Sequence, residues 1–87
     1  MKYFFVYVLE SQKDGNWYTG YTQDLKNRIK EHNEGLVKST SHRIPFKLIY
    51  AEISLHQYDA IPREKYLKSG PGKRYLKRRL KRYLNSL

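Results

Sequence analysis

The chain has 87 residues, no cysteine, and 18 Lys and Arg against 8 Asp and Glu, for a formal charge of +10 at neutral pH. That length suits a single domain over residues 1–87 with one modest core, and the lack of Cys excludes a disulfide framework and a thiolate metal site. The longest apolar run, Tyr3 to Leu9, is too short to span a bilayer and lacks the flanks of a signal peptide, so a cytoplasmic protein with no membrane partner is expected.

Tyr3 to Leu9 is β-branched and aromatic, which predicts a strand buried on both faces and central in its sheet. Lys13-Asp14-Gly15-Asn16 carries an Asp-Gly turn signal, and Trp17 to Gly20 resumes strand composition, so the two runs form an antiparallel hairpin. Thr22 or Asp24 can cap a helix that ends near Asn33, with Gly35 as its stop signal. Leu25, Ile29 and His32 mark its inward side. Leu36 to Pro45 is polar and reads as a loop. Phe46 to Ile53 is a third strand, with Phe46, Leu48 and Tyr50 expected on one face and Ile49, Ala51 and Ile53 on the other. A helix follows from about Tyr58, since Pro62 is tolerated in a first turn but would break an interior, and Ser69-Gly70-Pro71-Gly72 ends it. From Lys73 a final amphipathic helix carries Leu76, Leu80 and Leu84 on one stripe. The fold class is therefore α/β of the α+β kind, a three-stranded antiparallel sheet flanked by helices in the order β-β-α-β-α-α.

Charge is unevenly spread. Residues 1–62 carry 8 basic and 7 acidic side chains, whereas residues 63–87 carry 10 basic and one acid, Glu64. This favours a polyanionic partner, most simply DNA, met by Lys68, Lys73, Arg74, Lys77, Arg78 and Lys81. An anionic membrane surface competes for the same reading, and a solvated helix face is the plainer one.

The lone acid is informative. With Ala60 at 0° on a helical wheel, Glu64 falls at about 40° and Leu67 at about −20°, so Glu64 sits in the apolar stripe and faces the protein. A carboxylate placed there needs an Arg, a metal ion or a hydrogen-bond donor as partner, and a salt bridge at the stripe's edge is the simplest. Arg28 and His32 are i, i+4 neighbours on the border of the first helix's buried stripe. Arg28 has the planar fork that suits phosphate, although an edge Arg packing its stem on the sheet is the simpler reading. Tyr7 and Tyr18, in the strand pair ahead of Arg28, can orient water or shuttle a proton. Tyr3, Tyr50, Tyr66, Tyr75 and Tyr83 read as core or rim residues.

In order, Phe5-Val6-Tyr7, Tyr18-Thr19-Gly20, Arg28 with His32 one turn on, and Glu64 on a later helix resemble the GIY-YIG nuclease superfamily, in particular small bacterial members related to the N-terminal nuclease domain of the repair protein UvrC. Tyr7 and Tyr18 are 11 residues apart and Tyr18 and Arg28 are 10 apart. The resemblance covers almost the whole chain, with Phe5 and Thr19 departing from the two tripeptides, Tyr21 standing where some relatives have Lys, and no Asn near Leu76. It implies a metal-dependent DNA endonuclease, structure-specific in repair or recombination. Glu64 would then hold Mg²⁺ or Mn²⁺, Arg28 neutralise the scissile phosphate, Tyr7 and Tyr18 position or deprotonate the nucleophile, and His32 assist. A homodimer or partner protein can supply specificity. The alternative is a DNA-binding module that keeps the nuclease fold without turnover.

Overall fold

The computed structural model describes residues 2–87. Strands β1 (Phe4–Ser11), β2 (Trp17–Thr22) and β3 (Phe46–Ser54) form one antiparallel sheet in the order β2-β1-β3, so β1 is central as its composition requires. Helices α1 (Leu25–Asn33), α2 (Gln57–Lys68), α3 (Gly70–Arg79) and α4 (Lys81–Asn85) flank it. The expected order β-β-α-β-α-α is present, with its last helix in two pieces.

Alternation along β1 divides the interior. Phe4, Val6 and Val8 point to one side and pack with Ala60, Leu67 and Leu76 from α2 and α3. Tyr7 and Leu9 point to the other side and join Phe46, with Leu25 and Ile29 of α1 and Ile44 against them. Period-two geometry thus makes one strand serve two clusters of different chemistry.

Four expectations require correction. The pairing of β1 with β3 shifts between Val8 and Leu9, where Val8 faces Tyr50 but Leu9 faces Leu48, leaving Ile49 as the extra residue of a bulge. Phe46 and Tyr50 therefore join opposite clusters, and the single face expected for Phe46, Leu48 and Tyr50 does not form. Pro62 lies in the second turn of α2, inside the helix. The hydrogen bond it forgoes belongs to the carbonyl of Tyr58, four residues back in the exposed first turn, where water can replace it.

The Ser69-Gly70-Pro71-Gly72 segment ends α2 and also opens α3. Ser69 Oγ accepts from the Gly72 N–H at 3.2 Å, and Pro71 sits in the first turn. Gly72 is buried, and a Cβ there would collide with the Tyr66 carbonyl, so only glycine permits α2 and α3 to approach this closely. Finally, the helix expected from Lys73 onward breaks at Leu80. Leu76 is fully buried, whereas Leu80 and Leu84 are half-buried.

At the turn between α1 and β3, Gly35 takes φ +76°, which stops α1 as expected. Asp24 is the N-cap, its Oδ1 accepting from Asn27 N–H at 3.2 Å. Asn33 ties the end of α1 to β3, accepting from Phe46 N–H at 2.6 Å and donating to Phe46 O at 3.2 Å. The loop 36–45 is stapled to the first hairpin. Ser11 Oγ donates to Arg43 O at 2.6 Å, Gln12 N–H to Pro45 O at 2.8 Å, and Arg43 pairs with Asp14 at 3.2 Å.

Candidate active site

The first strand pair sets the site. Tyr7 lies directly opposite Gly20, and Leu9 opposite Tyr18, so both phenols rise from the same face. A Cβ at Gly20 would meet the Tyr7 hydroxyl and ring. The glycine of the second tripeptide is thus the floor on which the Tyr7 ring rests, a close-approach role rather than a turn. Tyr7 and Tyr18 have ring centroids 6.4 Å apart.

Helix α1 brings His32 onto these rings, 5.8 Å from Tyr7 and 5.0 Å from Tyr18 between centroids, both edge-on, with Phe46 at 5.9 Å behind it. His32 is fully buried, which corrects the rim position expected from its place on the helix border. Tyr7 Oη lies 2.9 Å from His32 Nε2, and Thr40 Oγ1 lies 2.8 Å from His32 Nδ1. Thr40 Oγ1 also donates to Val37 O at 3.3 Å.

With the Thr40 hydroxyl donating to Val37, its oxygen is left to accept from His32 Nδ1–H, and in that tautomer Nε2 accepts from the Tyr7 O–H. Burial holds His32 below its usual range, with the nearby Arg28 charge acting the same way, so the imidazole is neutral at pH 7. Burial pushes the Tyr7 phenol up to about 12, and the Arg28 guanidinium beside it offsets part of that rise.

Arg28 is half-exposed at the mouth of this buried chain and pairs with Glu31 at 3.3 Å, a part-buried i, i+3 contact. Glu64 arrives from α2, near enough for its charge to add to the upward pressure on the Tyr7 phenol. Its neighbours Ala60 and Leu67 are buried as the wheel requires, but its own side chain keeps 26% exposure and meets Lys68 Nζ at 3.0 Å. Glu64 is therefore a partly exposed edge carboxylate in a salt bridge. Lys68, expected on DNA, faces Glu64 in this arrangement. Lys73, Arg74, Lys77, Arg78 and Lys81 are all exposed, and none has a carboxylate partner among the described residues.

Two residues outside the site explain departures from the motif. Tyr21 turns to the opposite face, where it stacks on Phe4 at 6.3 Å and 10°, and takes no part in the phenol cluster. Leu76 is core, so the helix position where some relatives carry Asn is occupied by packing. A cavity of about 790 Å³ opens by Tyr3, Phe5, Leu25 and Leu48 and contains none of the five candidate residues.

No three His, Asp or Glu side chains gather into a metal-binding group among the described residues. The donor set at the site is the one accessible carboxylate of Glu64. It fits a hard cation that keeps much of its water and takes further oxygens from phosphate, as Mg²⁺ does, and not a cation that demands a closed protein cage.

Thr40 is the residue that sequence reasoning missed. A buried imidazole needs two hydrogen-bond partners, so a second partner for His32 was implied once His32 was known to be buried. Nothing in Lys38-Ser39-Thr40-Ser41-His42 singles out which hydroxyl supplies it.

Two phenols, a neutral imidazole and a guanidinium thus gather beside a small antiparallel sheet, with the Glu64 carboxylate on α2 near enough to act on the Tyr7 phenol. The chain matches the family model described as the GIY-YIG catalytic domain over residues 3–75, and it belongs to that nuclease family. It is similar to the UPF0213 protein YazA of Bacillus subtilis, 45% identical over 65 residues that cover 74% of this chain and 65% of the relative. The UPF0213 protein of Streptococcus pneumoniae is 43% identical over a stretch covering the same shares. The chain thus spans just under two thirds of the length of these curated relatives. Among solved structures, the solution NMR structure of the UPF0213 protein BH0048 from Bacillus halodurans superposes with a TM-score of 0.54 at 39% identity, covering 85% of this chain and 81% of that one. No helix of the described residues is long and apolar enough to cross a membrane.

Proposed function

We propose that this chain is a metal-dependent endonuclease that hydrolyses DNA phosphodiester bonds, with structured repair or recombination intermediates as its substrates. The observation that carries this reading is the buried hydrogen-bond chain from Tyr7 through His32 to Thr40, opening beside Arg28 and Glu64.

A phenol raised to about 12 is a weak proton acceptor while it keeps its own hydrogen. It acts as a base only by passing that hydrogen on. When Tyr7 Oη takes a proton from water, its own proton moves to His32 Nε2, and the resulting imidazolium keeps its Nδ1–H on Thr40. The neutral imidazole that burial maintains is the form able to accept. Tyr18, beside both rings but outside this chain, orients the nucleophile or a phosphate oxygen. Arg28 offsets charge on the phosphorus as it becomes pentacoordinate. Glu64 would hold Mg²⁺ or Mn²⁺, which when bound supplies Lewis-acid stabilisation of the leaving 3′ oxygen. The basic face of α3 and α4 holds the phosphate backbone without reading bases.

The test is a panel of labelled nicked, flapped, branched, duplex and single-stranded DNAs incubated with Mg²⁺ and with Mn²⁺. Wild type nicks at least one of them, and Glu64→Ala and Arg28→Ala lose the activity while their circular dichroism stays native. Absence of cleavage on the whole panel with either metal, alongside salt-dependent binding, would assign the chain as a binding module.

A further inference from the structure

Two clefts lie along the β2 edge on the side of α2 and α3. The first, about 210 Å³, is lined by Trp17, Tyr18, Thr19, Leu67, Lys68 and Lys73. The second, about 550 Å³, continues from Trp17 and Lys73 to Lys77 and Leu84. They share Trp17 and Lys73, so they adjoin and form one path on the face of the sheet where Trp17 packs, opposite the phenol rings, leading to the basic helices.

Trp17 is half-buried, resting on the apolar cluster of β1, α2 and α3 while lining both clefts. Its Nε1–H donates to Glu10 Oε2 at 3.1 Å, which holds the indole at a fixed angle. Glu10 also lines the second cleft, but it is only 9% exposed and its other oxygen accepts from Tyr83 at 2.7 Å. The charge shown to the path is therefore that of Lys73 and Lys77, both exposed, with Lys68 in the first cleft.

We infer that this path binds single-stranded DNA, with an unpaired base stacked on Trp17 and the flanking phosphates on Lys68, Lys73 and Lys77. An aromatic platform edged by cations is the arrangement that holds single strands without sequence preference. Duplex DNA does not fit it, because paired bases present only their edges and backbone to a side chain beside the helix. The inference rests on the nuclease reading for its meaning, since it names unpaired or flapped strands as the substrate class. Its binding test is independent of cleavage.

Trp17 is the sole tryptophan of the chain, so its fluorescence reports on the cleft directly. In buffer with EDTA, a single-stranded oligothymidylate of about 12 nucleotides quenches the emission saturably, and a blunt duplex of equal length does not. Trp17→Ala weakens binding of the labelled single strand about 10-fold, as the loss of one base–aromatic stack requires. Trp17→Phe, which keeps a ring and the packing, stays close to wild type and separates stacking from misfolding. Equal quenching by duplex, no quenching by the oligonucleotide, quenching by anionic lipid vesicles alone, or Trp17→Ala binding like wild type would overturn the inference. Cleavage of DNA without quenching overturns the cleft and keeps the nuclease. Quenching without cleavage of any DNA supports the cleft and overturns the nuclease.

Discussion

The two faces of the three-stranded sheet differ in what their burial achieves. Toward α2 and α3, Val6, Val8, Ala60, Leu67 and Leu76 are apolar and fully buried, a packing solution with no chemistry in it. Toward α1, Tyr7, His32 and Thr40 are as deeply buried, yet each carries a polar group that is satisfied by the next. No buried side-chain nitrogen or oxygen among the described residues lacks a partner. One face supplies stability, and the other spends burial on setting proton affinities. Because β1 contributes to both, the site is held by the same strand that anchors the core.

Each face can be perturbed without the other. The largest effect on stability comes from the apolar face: Leu67→Ala, which empties a fully buried position, lowers the unfolding free energy by about 3 kcal/mol in urea titration. The folded fraction of that variant keeps its cleavage rate. On the other face, Gly20→Ala drives the Tyr7 ring off its floor and breaks the bond to His32. Single-turnover cleavage then falls about 100-fold, with little loss of helical signal by circular dichroism. Thr40→Val removes the acceptor for His32 Nδ1–H and costs about 10-fold in rate, whereas Thr40→Ser restores it. The smallest effect is on pH dependence. His32 is held below its ordinary value of 6.5, so the unfolded chain binds its proton first as pH falls. The stability due to neutral His32 is full above 6.5 and declines as pH drops below it toward the lowered value in the fold. Melting temperatures of His32→Gln should lack this decline between pH 7 and 5.

The two faces were not equally legible in the sequence. The apolar face follows from periodicity, since Ala60 and Leu67 on one wheel stripe and the alternation of β1 are local patterns. Tyr7, Tyr18, Arg28 and Glu64 could be singled out by residue type and position. Thr40 could not, because the bond to His32 joins a loop to a helix through tertiary packing alone. The bulge at Ile49 was hidden for a related reason: register is set by the partner strand, and one extra residue reverses every face after it. Beyond the break at Leu80, α4 is tied to the sheet by the Tyr83–Glu10 bond, a contact 73 residues apart that no local pattern signals. The role of Gly20 was present in the motif but not its cause, which lies in the ring of a residue on the neighbouring strand.

The measurement that tests the account most directly is single-turnover DNA cleavage by Tyr7→Phe beside wild type, with Mg²⁺ present and native circular dichroism verified. Phe fills the same space over Gly20 and removes only the hydroxyl that hands its proton to His32. The expected result is a loss of about 1,000-fold in rate with DNA affinity unchanged. Cleavage by Tyr7→Phe at the wild-type rate would contradict it.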